Sequence, residues 1–492
     1  MKTVLGFDVG TSSSKGVLTT LTGEVLASTQ ISHEVSRPAV GHVEMDATVW
    51  WDEFVTASAT LLNDVPEAKV AAVGVSGMGP CVALTDEEDH PVRPAILYGV
   101  DTRAMAQVER LTDELGGPEA VLESCGSVLS SQAAGPKIAW VAETEPEIYA
   151  RAARLYMPAS FLVRKLTGAY VLDHQSASQA TPLYDRTQRQ WFAKRWQHIA
   201  PGIEPPALAW AEEIAGTITE SAAALTGLPA GIPVVAGTID AWAEALSVDA
   251  HNVGDLMLMY GTTMFFVNTV AAPLTSPSLW GTAGALRGTS NLAGGMATSG
   301  AITNWLRKLC AADDFGELVA EAADSGVGAR GLLMLPYFAG ERTPIMDPDA
   351  RGLIAGLTLE HTRGDLYRAA LEATGFAVRH NIETIEAAGG RIDRLVAVGG
   401  GTKGDVWTQI ISDITGREQV IPTETIGASY GMAWLAARTL ADIPGSQWNP
   451  PARIITPNPD HEDAYAQRYE LFRSLYEATA DHSHALAHAQ RS

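Results

Sequence analysis

The chain has 492 residues, 46% of them hydrophobic and 18% charged, with a formal net charge of −23. That length predicts two large domains rather than one core, and that charge argues against nucleic acid and anionic membrane as partners, so any phosphate must be held locally by amides or a few cations. Three scattered cysteines with no CxxC pair fit a reducing cytosol, and with neither a signal peptide nor an apolar run near the ~20 residues of a bilayer span, a cytoplasmic protein is expected.

The first predicted element is a hairpin in "FDVGTSSSKGVL", Phe7 to Leu18. Two apolar runs flank a turn rich in hydrogen-bond donors. Gly10 has no Cβ and lets an anion approach the backbone, while Thr11, Ser12 and Ser13 add hydroxyls. Asp8 would repel phosphate directly; it makes sense if Mg²⁺ sits between them, and Lys15 then neutralises the remaining charge. The plain alternative is a hairpin with a solvated polar tip. Next, "VAAVGVSGM" (Val70 to Met78) reads as a buried strand. "VVAGTID" reads as another and ends at Asp240, where a carboxylate at a strand's C-terminal end meets a cleft. Alternatively, Asp240 caps the helix starting at Ala241.

"LMLMYGTTMFFV" (Leu256 to Val267) repeats the strand, glycine turn and strand of the opening stretch. A duplicated α/β domain is the simplest account, with the boundary in the polar segment near Ala250 to Val253. The expected domains are therefore 1–250 and 251–492. The second turn carries Thr262 and Thr263, and "TSGAITNWL" starts a further helix at Ser299-Gly300, whose amides suit an anion. A helix from Asp365 to Ala388 stops at Gly389-Gly390. "VGGGTKGD" follows a strand and opens a helix; its glycines leave room for a flat base and ribose. That helix carries Val406, Trp407, Ile410, Ile411 and Ile414 on one face and ends at Gly416. A C-terminal helix shows Tyr465, Tyr469, Phe472 and Tyr476 at helical spacing. The alternation of strands and helices is α/β.

Other patterns fail on context. "GVGARG" (Gly326 to Gly331) follows a helix and precedes a strand, the reverse of a dinucleotide site. "DFG" at Asp314 to Gly316 has no kinase catalytic loop with it, and Asp314 with Glu317 reads as a capping box. No GxxxxGK[ST] occurs. His484 and His488 lack a third ligand and read as a solvated tail.

Taken together, "FDVGTSSSK", "AGTIDAWAEAL", "MYGTTM", "LPYFAGERTP", "AVGGGTKGDVWTQIISDITG" and "GASYGMAWLA" resemble the FGGY carbohydrate kinases, most closely the xylulokinase branch. The resemblance spans nearly the whole chain in order. It implies two ribonuclease-H-like domains, as in actin and hexokinase, closing on ATP and a sugar. Residues 1–250 would hold the sugar and the catalytic base, and 251–492 the nucleotide. Carried over, Asp240 is the base that takes the proton of a sugar hydroxyl, and Asp8 positions Mg²⁺. Thr11, Ser12 and Lys15 meet the phosphates, as do Thr262 and Thr263 on the second turn. Gly300, Gly400, Gly401, Thr402 and Asp405 surround the nucleotide.

The sugar end departs from that pattern. The branch's Met-His is Met78-Gly79 here, and the Asn after the catalytic Asp is Ala241. Asp101, in "LYGVDTR", is a candidate for the lost carboxylate, the alternative being a loop residue bonding its own backbone; Asp173 is a further candidate for the sugar pocket. The acceptor is expected to be a ketopentose such as xylulose, with another ketose, a polyol or a sugar acid as alternatives. Rivals of other classes are an actin- or chaperone-type ATPase and a non-catalytic sugar sensor; Asp240 argues against the first, and the retention of both Asp8 and Asp240 against the second. Sugar and ATP are the expected partners, with neither nucleic acid nor membrane, and a homodimer is left open.

Overall fold

Strands β1 (Lys2–Val9) and β2 (Ser13–Thr20) form the expected opening hairpin, with Asp8 opposite Lys15. The computed structural model describes residues 1–491. Beyond β2 run β3 (Val25–Ser32), β4 (Lys69–Gly77), β5 (Ile214–Thr217), β6 (Pro233–Val235) and β7 (Thr238–Ile239). They make one seven-stranded sheet in the order β5-β6-β4-β1-β2-β3, with β7 also paired to β4. The second half supplies β8 (Asp255–Tyr260), β9 (Met264–Val270), β10 (Trp280–Ala283), β11 (Ser290–Met296), β12 (Arg394–Val398), β13 (Gln419–Pro422) and β14 (Pro451–Ile455). These form another seven-stranded sheet, ordered β10-β11-β9-β8-β12-β13-β14.

The two sheets repeat one plan. β1 is antiparallel to β2 and parallel to β4; β8 is antiparallel to β9 and parallel to β12. Outward from there, β6 and β13 are parallel additions, each followed by an antiparallel edge strand, β5 or β14. The echo between "FDVGTSSSK" and "MYGTTM" thus extends to the order and direction of six strands in each sheet.

Helices cover both sheets. Those used below are α1 (His174–Gln179), α2 (Asp240–Ser247), α3 (Gly300–Leu309), α4 (Arg363–Ala387), α5 (Asp405–Thr415), α6 (Ala428–Arg438) and α7 (Glu462–Arg491). α4 starts at a capping box of Thr362 and Asp365, and α5 stops at Gly416 in the left-handed conformation, as its sequence predicts. Tyr465, Tyr469 and Phe472 of α7 pack with Phe376 of α4 in the second core. His484 is not wholly solvated: its Nε2 pairs with Asp347 at 2.8 Å. Among the described residues, no helix is long and apolar enough to cross a membrane.

The alternation of side chains along β1 decides what each face can do. Leu5, Phe7 and Val9 enter a core with Trp50, Phe54 and Phe161. Val4, Gly6 and Asp8 share the opposite face, where Val4 packs with Met432 and Ala433. This makes α6, from the far end of the chain, the cover of the first sheet. Glycines set the distance. A Cβ on Gly6 would lie 1.9 Å from the Ser429 carbonyl oxygen, and one on Gly74 2.2 Å from that of Met432. On the other side of α6, a Cβ on Gly431 would lie 2.1 Å from the Ala243 carbonyl oxygen, so α2 is drawn in equally close. Gly6→Ala therefore overpacks a backbone contact and is expected to cost about 1–3 kcal/mol or more, read as a lower thermal midpoint. Gly400→Ala, whose new methyl would meet nothing within 4 Å, should leave the midpoint within error; equal midpoints for the two variants would refute the close-packing account.

Candidate active site

The register of the first sheet lines up four side chains at its C-terminal edge. Asp8 lies between Lys15 on β2 and Ser76 on β4, and Ser76 is beside Thr238 on β7. Ser76 Oγ donates to Asp8 Oδ1 at 2.8 Å. Two residues past Thr238 comes Asp240, the first residue of α2. It is not the helix cap: Ile239 occupies that position, and Asp240 Oδ1 accepts only from the amide of Ala241, at 2.8 Å. Asp8, Lys15 and Asp240 all open onto one cavity of about 290 Å³. Its walls come from both halves of the chain, with Tyr98, Gln179 and Glu244 on one side and Met259, Thr263, Phe265, Trp280 and Arg342 on the other. Clefts between two α/β units are where small ligands are expected.

Three carboxylates face this space, Asp8 buried and Asp240 and Glu244 half-buried. Burial pushes Asp8 up to about 6, although the Ser76 hydroxyl and the Lys15 ammonium oppose the shift. Burial and then the charge of Asp8 push Asp240 up to about 7, and the same two causes raise Glu244 to about 7. Lys15 makes no hydrogen bond to the protein among the described residues, which leaves its ammonium available to a ligand. Among those residues no group of three or more His, Cys, Asp or Glu side chains encloses a metal position. Asp8 offers the cavity a carboxylate held by the Ser76 hydroxyl on one side and flanked by Lys15 on the other.

The two hairpins reach the same cavity from opposite sheets, the first through the strand residues Asp8 and Lys15 and the second through Met259, Thr263 and Phe265. In the first, the Gly10 amide donates to the Ser13 carbonyl at 3.1 Å; in the second, the Gly261 amide donates to that of Thr263 at 3.1 Å. The amides of Thr11, Ser12, Thr262 and Thr263 have no partner among the described residues, and Ser12 and Thr262 are exposed. The start of α3 differs from expectation. Its amides at Gly300 and Ala301 donate to the carbonyls of Gly261 and Thr262, each at 3.0 Å. They hold the second turn in place instead of waiting for an anion.

The glycine-rich segment after β12 is packed against the same turn. A Cβ on Gly399 would lie 2.5 Å from the Tyr260 carbonyl oxygen, and one on Gly401 2.7 Å from the Trp407 ring, while Gly400 faces open space. Thr402 is buried, its hydroxyl donating to the Gly399 carbonyl at 2.8 Å. Asp405 is exposed and pairs with Arg453. Of this set, Gly400 has free space before it; the side chains of Thr402 and Asp405 are spent on the protein.

Three residues expected at the sugar end lie outside the cavity lining. Asp101 is fully buried in a structural ion pair. It accepts from the Val43 amide at 2.6 Å and from the Arg103 guanidinium at 2.7 Å. Burial alone would raise its pKa, but those bonds hold it below the ordinary range. Asp173 caps α1 by accepting from the Ser176 amide and also accepts from the Thr238 hydroxyl at 2.9 Å. It props the strand that delivers Asp240 rather than facing the ligand. Met78 is core; Gly79 alone of that pair reaches the cavity. A Cβ on Gly79 would lie 2.7 Å from Ile239 Cδ1, so an imidazole has no room there unless Ile239 moves.

Sequence reasoning passed over several residues that do line the cavity. Tyr98 sits three positions before Asp101 in the same loop, and its hydroxyl bonds Thr11 Oγ1 at 2.8 Å. The buried ammonium of Lys137, pushed down to about 8 by desolvation, donates to the carbonyls of Leu97 and Tyr98 and fixes that loop. Arg342 belongs to the quoted "GERTP" segment. Glu341 accepts from the amides of Ala297 and Arg342, and the Thr343 hydroxyl accepts from the Gly295 amide. Pinned on both sides, the segment presents Arg342 to the cavity. Gln132, Gln179, Trp242, Phe265 and Trp280 carried no local signal.

Against this geometry stand the comparisons. Residues 3–247 match the model of the N-terminal domain of the FGGY family of carbohydrate kinases, and residues 256–440 that of its C-terminal domain. The chain is 30% identical to a xylulose kinase of Escherichia coli strain K12, over 96% of this chain and 98% of that protein. It is 29% identical to a gluconokinase of Bacillus subtilis strain 168, over 85% and 84% of the two chains. A crystal structure of xylulose kinase from Rhodospirillum rubrum superposes with a TM-score of 0.92 at 32% identity, covering 98% of this chain and all (100%) of that one.

A carboxyl whose folded pKa lies above its unfolded value favours folding while protonated, and that contribution is lost as pH climbs from the ordinary carboxylate range towards the folded value. For Asp240 the window runs from its ordinary value of 3.8 to about 7. Asp240→Asn should therefore raise the thermal midpoint of the ligand-free protein, and by more at pH 8 than at pH 5. A midpoint gain independent of pH would contradict the desolvation described above.

Proposed function

The chain belongs to the FGGY family of carbohydrate kinases, and from that premise we propose that it transfers the γ-phosphoryl group of ATP to a hydroxyl of a ketopentose, with xylulose as the acceptor. The observation that carries this reading is the placement of Asp240. It projects from a strand end into a cavity that both hairpins reach, through Asp8 and Lys15 of the first and Thr263 of the second, with one carboxylate oxygen fixed by the Ala241 amide. The second oxygen is then available to the acceptor hydroxyl. The names of the relatives at 30% and 32% identity support xylulose.

In the proposed step the acceptor oxygen forms a bond to the γ-phosphorus, the bond from that phosphorus to the β–γ bridging oxygen breaks, and ADP leaves. The hydroxyl proton passes to Asp240. Such general-base help is worth ~10²–10⁴ in rate; positioning and charge neutralisation supply most of the rest. Lys15, the free amides at Thr11, Ser12, Thr262 and Thr263, and Arg342 would take the phosphate charge. Gly300, Gly400, Gly401, Thr402 and Asp405 remain assigned to the nucleotide's surroundings, with backbone contact at Gly400 and structural roles for the side chains of Thr402 and Asp405. Asp8 suits Mg²⁺, because the ion takes one or two carboxylates and fills its remaining positions with water and phosphate oxygens. When bound it neutralises phosphate charge. On this reading residues 1–250 carry the acceptor side and 251–492 the nucleotide side, with α6 crossing back to cover the first sheet.

ADP release measured with Mg-ATP across ketoses, polyols and sugar acids, gluconate included, tests the assignment. Xylulose should stimulate most, and Asp240→Asn should lower the stimulated rate by ~10²–10⁴ while ATP still binds. Strongest stimulation by gluconate would replace xylulose with a sugar acid. An Asn variant with full turnover would remove Asp240 from the chemistry.

A further inference from the structure

The cavity that holds Asp240 continues into a smaller hollow, and Gln132, Gln179 and Trp280 line both. The hollow measures about 20 Å³, and Ser130, Ser178, Thr181 and Thr282 complete much of its wall. It lies where the two halves of the chain touch. Ser178 stands in α1 and Thr282 in β10, and the Ala283 amide donates to Ser178 Oγ at 3.1 Å. That serine also donates to the Gln175 carbonyl at 2.6 Å, so its hydroxyl is satisfied. Two polar atoms nearby are not. Gln179 Nε2 and Thr282 Oγ1 are shielded from solvent and have no hydrogen-bond partner. Native proteins rarely leave such groups unpaired, and each one calls for a ligand or a water. The space suffices for one water-sized group.

Trp280 also belongs to an aromatic wall of the larger cavity. Trp280 stacks on Phe265 with ring centroids 6.0 Å apart and 23° between planes, and Trp242 meets Phe265 edge-on at 6.0 Å. An apolar platform beside a few placed hydrogen-bonding groups suits a ligand with a C–H face and several hydroxyls. On the Asp240 side, Gly79 and Ala241 supply no side-chain donor.

We propose that Gln179 and Thr282 determine acceptor specificity: a hydroxyl of the acceptor, other than the one facing Asp240, enters the hollow and pairs with Gln179 Nε2 and Thr282 Oγ1 while its carbon rests on Trp280. The proposal builds on the kinase reading above and names the recognised group, a slim hydroxyl-bearing chain end of a polyhydroxylated acceptor. It places acceptor discrimination at the junction of the two halves, so the acceptor itself bridges them.

Initial rates with a panel of ketoses, polyols and their monodeoxy analogues provide the test, using Gln179→Leu, which keeps bulk and loses the amide, and Thr282→Val, which keeps shape and loses the hydroxyl. Each variant should raise the KM of the preferred acceptor by about 5- to 10-fold, the loss of one hydrogen bond, with the KM for ATP within about twofold of wild type. Thr282→Val should also erase the wild-type preference for the acceptor over one particular monodeoxy analogue. If both variants keep the wild-type acceptor KM and rank order, the proposal falls and the kinase reading stands. If no member of the panel stimulates wild-type ADP release, the ketopentose reading falls and takes this proposal with it.

Discussion

Desolvated negative charge is the constraint around which the centre of this molecule is arranged. Asp8, Asp240 and Glu244 face one cavity, and burial together with the charge of Asp8 holds the latter two near neutrality in their titration. Burying like charges is costly unless cations or hydrogen bonds offset them. The protein supplies one hydroxyl from Ser76, one amide from Ala241 and one ammonium from Lys15. All three are held at raised pKa values, and a bound cation would favour their ionised forms. Functional sites commonly carry such a cost, and the surrounding fold compensates for it.

The compensation comes from close backbone packing under the site. Gly6 and Gly74 let α6 settle on the first sheet, and Gly431 lets α2 settle on α6. Asp8 lies two residues beyond Gly6 on the same face of β1, and Asp240 begins α2. Both acids are thus mounted on elements locked by contacts that admit no side chain. The turns of the two hairpins are fixed in a similar way. The start of α3 donates its amides to the second turn, and Tyr98 ties Thr11 of the first turn to a loop anchored by Lys137. Rigid mounting allows Lys15 to face a ligand without being spent on the protein, while Arg342, which donates to the Met296 carbonyl at 2.8 Å, is held in place at the cavity wall.

Some of this could be read directly and some could not. The hairpins at Gly10 and Gly261 were legible because strand, glycine and hydroxyl follow one another in the chain. Asp240 was legible because it ends a strand. The loop "LYGVDTR" misled, since a carboxylate attracts attention and a tyrosine does not; Asp101 is consumed by Arg103, two residues away, while Tyr98 reaches the cavity. Asp173 misled for a related reason: acids cap helices as well as bind ligands, and only the fold shows which. Glycine at position 79 reads as the loss of an imidazole, but its space is taken by Ile239, which is distant in sequence.

The class of fold, the duplication, the two donor-rich glycine turns and the acid at the end of β7 were legible in the sequence, because each depends on residues within one short stretch and on the period of a strand or helix. Only tertiary structure decided which residues share the cavity. Gln132 and Gln179 from the first half meet Trp280 and Arg342 from the second across more than a hundred positions, and α6 returns from near the C-terminus to cover the opening strands. Such contacts are set by how two sheets and their helices pack, and no local pattern of residues encodes them.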